Sequence, residues 1–369
     1  MTQQDLYWYW LTNINGIGRE TISRLLEFFV TPKQIYQADE KEVFTLLRME
    51  KQRNEFIISK NEDAIRKGYQ RLADHKITFL HPDSLEYPKR LRTIPDAPYG
   101  LYLKGSLPPE DCKAVAVIGA RNCSRYGREM ARFFGRELSK CRIPIISGLA
   151  RGIDGMAHRG ALEASGYTLG ILGGGIDQVY PKENYELFIK MQQSGGILSE
   201  SNMGIIPAAG LFPQRNRLIA GMCDGILVVE AMEKSGTFIT VDQGLDQGKE
   251  VFALPGRVMD PQSAGCNNLI KLGAHIVTEV EDILEILHMG EKSAPKLNDP
   301  NRIQNITEKM SLAPLEKMVY SCLRIESKYL DDIIDEINIA PQEVCMALNR
   351  LVMCGAAAET ARNYYAIKL

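Results

Sequence analysis

Short apolar runs, each closed by glycine and followed by an amphipathic stretch, recur through the middle of the chain. Val115–Ile118 is uniformly apolar and predicts a strand buried on both faces. Gly119 closes it. From Gly127 the apolar positions switch to helical spacing, with Met130, Phe133, Phe134 and Leu138 on one stripe. The unit returns as I-P-I-I-S before Gly148, T-L-G-I-L before Gly173-Gly174-Gly175, G-I-L-V-V before Glu230, and E-V-F-A-L before Pro255-Gly256. Strand, glycine, helix, strand predicts an α/β fold built on a doubly wound parallel sheet. In such sheets ligands bind beyond the carboxyl ends of the strands.

The flanks read differently. Residues 5–60 carry helical patterns, and N-I-N-G-I-G-R-E-T-I-S has the form of a helix–hairpin–helix turning on Gly16 and Gly18. Such a hairpin either aims helix N–H groups at a DNA phosphate or serves as a packing module. Between 77 and 105, Pro82, Pro88, Pro95 and Pro98 bracket short apolar runs, which predicts edge strands extending the main sheet. Residues 289–310 are polar and proline-containing and read as a linker. From Ser311 three helical patterns follow, the second and third forming a helix–turn–helix with Ala340-Pro341 opening the later helix; Ala356–Leu369 fits a two-stranded wing. This tail has a net charge of −2, which favours a protein contact or an accessory DNA role over strong duplex binding.

A length of 369 residues predicts two or three domains. No apolar run is long enough to span a membrane, and residues 1–30 lack the pattern of an export signal. None of the eight cysteines falls in a C-x-x-C pair or a zinc-like cluster, so reduced thiols in a cytoplasmic protein without metal are expected. The formal charge of −2 hides an asymmetry: Lys113 to Gly160 holds ten Lys/Arg against three acids, a net of +7. A basic block in a near-neutral protein suggests a localised anionic partner, phosphate or nucleic acid. Arg128, Arg132 and Arg136 also fit a solvated helix face. Arg121 and Arg151, at strand-to-helix turns, fit that reading less well.

The first turn, Gly119-Ala120-Arg121 with Ser124 and Gly127, is not G-x-G-x-x-G. Arg121 stands where a second glycine would admit a pyrophosphate, and the strand ending in Ser147-Gly148 offers no acid for a ribose. No dinucleotide cofactor is expected; the turn suits a phosphate instead. In F-P-Q-R-N-R the pattern predicts a helix from about Gln214, with Pro213 at its start and Arg215, Asn216 and Arg217 in its first turn. Arginines there oppose the helix dipole unless an anion binds. Phe212, just outside, then offers a stacking face; in the alternative it is core and the arginines are salt-bridged. Glu230 is a candidate base or an arginine partner. Asp154 and His158, at i, i+4, read as structural because no nucleophile accompanies them.

Together, G-A-R-x-x-S-x-Y-G, S-G-L-A-R-G-I-D, G-G-G-I-D-x-x-Y-P, F-P-x-R-N-R, V-V-E-A-x-x-x-S-G-T and V-F-A-L-P-G resemble, in order, the DNA-processing protein A family (DprA, also called Smf). The resemblance covers roughly residues 75–290. It implies a helical helix–hairpin–helix/SAM-like module over 1–75, an extended Rossmann-like domain over 76–288, and a winged-helix module over 311–369. It also implies a non-enzymatic, homodimeric protein that binds and protects single-stranded DNA and loads the RecA recombinase in natural transformation. The family's pocket would put Arg121, Phe212, Arg215 and Arg217 on the strand. Gly119, Ser124, Gly148 and Asn216 complete the candidate set. A lysine found in some members is Ala209 here, with Arg151 or Lys182 as compensating cations. Dimerisation would use Asn267, Ile270 and Ile276. The competing class is a nucleotide-hydrolysing enzyme of the phosphoribohydrolase type, but no P-G-G-x-G-T-like loop is present.

Overall fold

The computed structural model describes residues 1–287, 312–324 and 326–368; the predicted linker, 289–310, lies outside them. Its centre is a nine-stranded sheet. In chain order the strands are β1 Thr78–Leu80, β2 Leu101–Gly105, β3 Val115–Ile118, β4 Ile145–Ser147, β5 Thr168–Gly175, β6 Gly195–Ser201, β7 Gly225–Val228, β8 Glu250–Ala253 and β9 His275–Ile276. They lie side by side as β1-β2-β6-β5-β4-β3-β7-β8-β9. From β6 to β9 every neighbour is parallel, while β1 and β2 join antiparallel at the β6 edge. The five apolar runs are β3, β4, β5, β7 and β8, and the proline-bracketed segment extends the sheet as predicted. From β3 the chain winds outward through β4, β5 and β6, then returns to β7 on the other side. That reversal between β3 and β7 opens a crevice at their carboxyl ends.

Alternation along β3 assigns its two faces. Val115 and Val117 pack with Met130, Phe133, Phe134 and Leu138 of the Arg125–Lys140 helix. Ala116 and Ile118 belong to the opposite core with Leu218, Val241 and Leu269. Helices thus cover both faces, as a parallel sheet requires.

Six helices from Gln3–Thr12 to Glu62–Asp74 form the N-terminal part. Their apolar side chains, Trp10, Leu25 and Phe56 among them, share one core with Phe79, Tyr102, Leu172 and Ile197 of the sheet. The C-terminal part has helices Pro314–Cys322, Leu330–Ile337 and Pro341–Met353 and a small sheet of β10 Lys328–Tyr329, β11 Ala357–Ala361 and β12 Tyr364–Ile367, ordered β10-β12-β11. Its core is its own. An Arg257–Glu326 ion pair and an Arg125-to-Ser327 hydrogen bond touch it to the central sheet's loops. Among the described residues no helix is long and apolar enough to cross a membrane.

Candidate functional site

The crevice at the reversal is a cavity of about 960 Å³, continuous with a smaller one of about 220 Å³. Arg121, Tyr180, Phe212 and Arg215 line both. Arg121 sits on the turn after β3, pinned on two sides: Ala120 N–H donates to the Glu230 carbonyl at 2.8 Å, and Ile153 N–H donates to the Ala120 carbonyl at 3.3 Å. Its exposed guanidinium lies 5.0 Å from the Phe212 ring centroid, a cation–π contact. The Tyr180 ring lies 5.9 Å from Phe212, tilted by 34°.

The helix carrying Phe212 begins earlier than predicted. It spans Leu211–Gly221, so Phe212 is its second residue rather than an outside flank, and Arg215 and Arg217 lie beyond the first turn's free amides. Pro213 is accommodated because an N–H at that position has no intrahelical partner to lose. Arg215 is therefore buried, at 7% exposure. Its Nη1 donates to the carbonyl of Gly148 at 2.7 Å and to that of Ile171, tying the helix to the end of β4 and the middle of β5. Burial pushes its pKa down to about 10; Asp154 opposes that and the Arg121 charge adds to it. The strand-end glycines make room for this helix. A Cβ at Gly148 would stand 2.5 Å from Arg215 Nη2, and one at Gly173 would stand 2.7 Å from Phe212 Cδ1.

Not every predicted residue reaches the crevice. Gly119 and Asn216 line the larger cavity, and Gly148 and Arg151 line the smaller. Arg217 is 8% exposed and pairs with Glu200 at 2.5 Å, the salt-bridged alternative. It faces a neighbouring cavity of about 580 Å³, lined also by Gly18, Arg19 and Asp96, where the start of the second helix meets the sheet; Arg215 borders both this cavity and the crevice. The hairpin's helix start therefore faces the protein's own body. Ser124 is turned away from the crevice: its hydroxyl caps the Arg125–Lys140 helix by accepting from Gly127 N–H at 3.0 Å and donates to Glu230 Oε1 at 2.5 Å. Glu230, buried, also accepts from Ser124 N–H at 2.8 Å, so it is neither a presented base nor an arginine partner. Lys182 is exposed and lines neither cavity.

Asp154 accepts from the backbone N–H groups of Gly148 and Ala150. Burial pushes its carboxyl up, against the pull of Arg215. His158 is wholly buried, with Nδ1 2.6 Å from Thr168 Oγ1. At the far edge of the sheet, Asn267 exchanges hydrogen bonds with Gly256, Ile270 is half-buried against the main core, and Ile276 on edge strand β9 is 53% exposed.

Three elements of the crevice were missed in the sequence. Tyr180, 52% exposed, stands between the two cavities. Lys234 lines the larger one, and so does the Ser235–Thr237 turn that opens the Thr237–Asp246 helix. The available signal was position: Y-P follows β5 and the S-G-T turn follows β7, both at the carboxyl edge.

A family model described as DNA recombination-mediator protein A matches residues 78–288. Protein Smf of Escherichia coli is 43% identical over 209 residues, 56% of each chain, so this chain spans about half the length of that relative. The solved structure of DNA processing protein A from Streptococcus pneumoniae superposes with a TM-score of 0.67 at 32% identity, covering 77% of this chain and 98% of that one. A DNA processing protein A structure from Helicobacter pylori, described by its single-stranded DNA binding mode, gives 0.52 at 28% identity over 58% of this chain and 96% of that one.

Proposed function

Given that the chain belongs to the DNA recombination-mediator protein A family, we propose that its sheet-edge crevice binds single-stranded DNA with little sequence preference. The observation that carries this reading is the cluster of Arg121, Phe212 and Tyr180 on the wall common to both cavities. An exposed guanidinium beside exposed aromatic surface is what a phosphate followed by an unstacked base requires. Phe212 orients Arg121, Tyr180 offers the open ring face, and Arg215 holds the helix while adding positive field. Gly119, Gly148, Arg151 and Asn216 complete the walls. Lys234 in the larger cavity and Arg151 in the smaller supply cations that offset the alanine at 209; Lys182 lines neither.

The role is non-enzymatic in this reading. Glu230 is engaged by Ser124, and Asp154, the carboxylate that lines the larger cavity, by the N–H groups of Gly148 and Ala150, which disfavours the nucleotide-hydrolysing alternative. We read 1–75 as the helix–hairpin–helix/SAM-like module, 76–288 as the DNA-binding domain and 311–369 as an acidic winged helix suited to protein contact. In this role a homodimer paired through Ile276 on β9 protects incoming strands and hands them to RecA in natural transformation. Fluorescence anisotropy with labelled oligo-dT tests the DNA reading. Arg121→Ala should bind on the order of tenfold or more weakly. A folded Arg121→Ala protein that binds like the parent contradicts the reading.

A further inference from the structure

The basic block around the Arg125–Lys140 helix separates into two halves. Away from the crevice four of its cations pair with carboxylates, though among the described residues Arg125 and Arg142 do not. Lys113 pairs with Asp224 at 3.3 Å at the opposite edge of the sheet, Arg132 with Glu163 at 2.8 Å, and Arg136 and Lys140 both with the buried Glu137. Toward the crevice the pairing stops. Arg121, Arg128, Arg151 and Arg159 line a further cavity of about 330 Å³, and its single carboxylate, Glu183, is taken by Arg151 at 3.2 Å. Among the described residues no carboxylate is paired with Arg121, Arg128 or Arg159. Arg128 is held in place by donating to the Cys123 carbonyl at 3.2 Å, and Arg159 projects from the second turn of the Ile153–Glu163 helix.

Four guanidiniums against one carboxylate leave a locally positive groove, which favours an anion. The cavity is also continuous with the crevice. Arg121 belongs to both, and Arg151 to this cavity and the smaller crevice chamber. We propose that Arg128 and Arg159 form a second phosphate track, which grips the backbone of the single strand where it leaves the crevice. This rests on the reading of the crevice as a single-stranded DNA site. The crevice holds bases and their phosphates; the arginine groove, lined by Gly152, Gly155 and Met156 and lacking any aromatic ring, holds backbone alone.

The test compares a short oligo-dT of about 4 nucleotides with a long one of about 16, using the full chain, the parent and Arg128→Ala/Arg159→Ala. The double variant should bind the short oligo like the parent and the long one on the order of a hundredfold more weakly. Its salt slope on the long oligo should fall by about 1.4, for two lost phosphate contacts. Arg128→Lys/Arg159→Lys should keep most of the slope. Equal losses on both lengths, or none on either, overturn the proposal. A parent that binds neither oligo overturns the crevice reading, and the track with it.

Discussion

Arg121 and Phe212 touch, so their contributions to binding are coupled. Arg121→Ala should remove one phosphate contact and lower the salt slope by about 0.7. Phe212→Ala should weaken oligo-dT binding by about 1–3 kcal/mol. It should also disturb Arg121, whose guanidinium loses its seat, so the double variant should lose less than the sum of the two single losses. Additive losses in anisotropy titrations would separate the two side chains. Tyr180→Ala should cost about as much as the loss of one stacked base while leaving the salt slope unchanged, because stacking releases no counterions. His158 offers a residue-scale test of the fold. Burial, with a smaller push from Arg215, holds its pKa at about 3 against 6.5 for the free side chain. As pH falls through 6.5 the unfolded chain takes up a proton that the folded chain refuses, so stability falls. The loss should reach about 1.4 kcal/mol per pH unit below that point. His158→Asn keeps a donor for Thr168 without titrating, and should flatten the decline between neutral pH and about pH 5 in urea denaturation. An equally steep decline in the variant would assign it elsewhere.

Among the elements, the helix caps show what the chain made legible and what it hid. Ser124 is a capping residue by type, and its helix starts at Arg125, two residues before the Gly127 where the pattern opens it. Its link to Glu230 joins positions 106 residues apart, which no local pattern contains. Ser124→Ala should cost about 1–2 kcal/mol through the lost cap, with the oligo-dT salt slope unchanged, since Ser124 lies outside the crevice. A changed slope in a folded variant would put the hydroxyl on the DNA. The Leu211–Gly221 helix misled by three residues because Pro213 reads equally well at its first or third position, and that shift carries Arg215 and Arg217 from the surface into the interior. The strand-end glycines were readable as turns, but not as the space into which Arg215 and Phe212 pack. β6, written G-G-I-L-S-E-S, gave no apolar run, and its place depends on pairing with both β2 and β5.

At the scale of the whole molecule, β9 is the last strand of the sheet among the described residues and carries an exposed Ile276, while Ile270 turns half inward. An uncovered apolar edge strand is a ready pairing surface. Ile276→Glu should therefore sediment as a folded monomer, whereas Ile270→Glu should lose stability first. If the parent is dimeric and Ile276→Glu sediments like it, the interface lies elsewhere. The central claim is that the crevice and its arginines hold a single strand mainly by its phosphates. Titrating the parent with labelled oligo-dT at low and moderate salt, alongside a duplex of the same length, tests it most directly. Affinity should fall steeply as salt rises, and the duplex should bind more weakly throughout. Affinity that stays flat across the salt range, or equal affinity for the duplex, would contradict it.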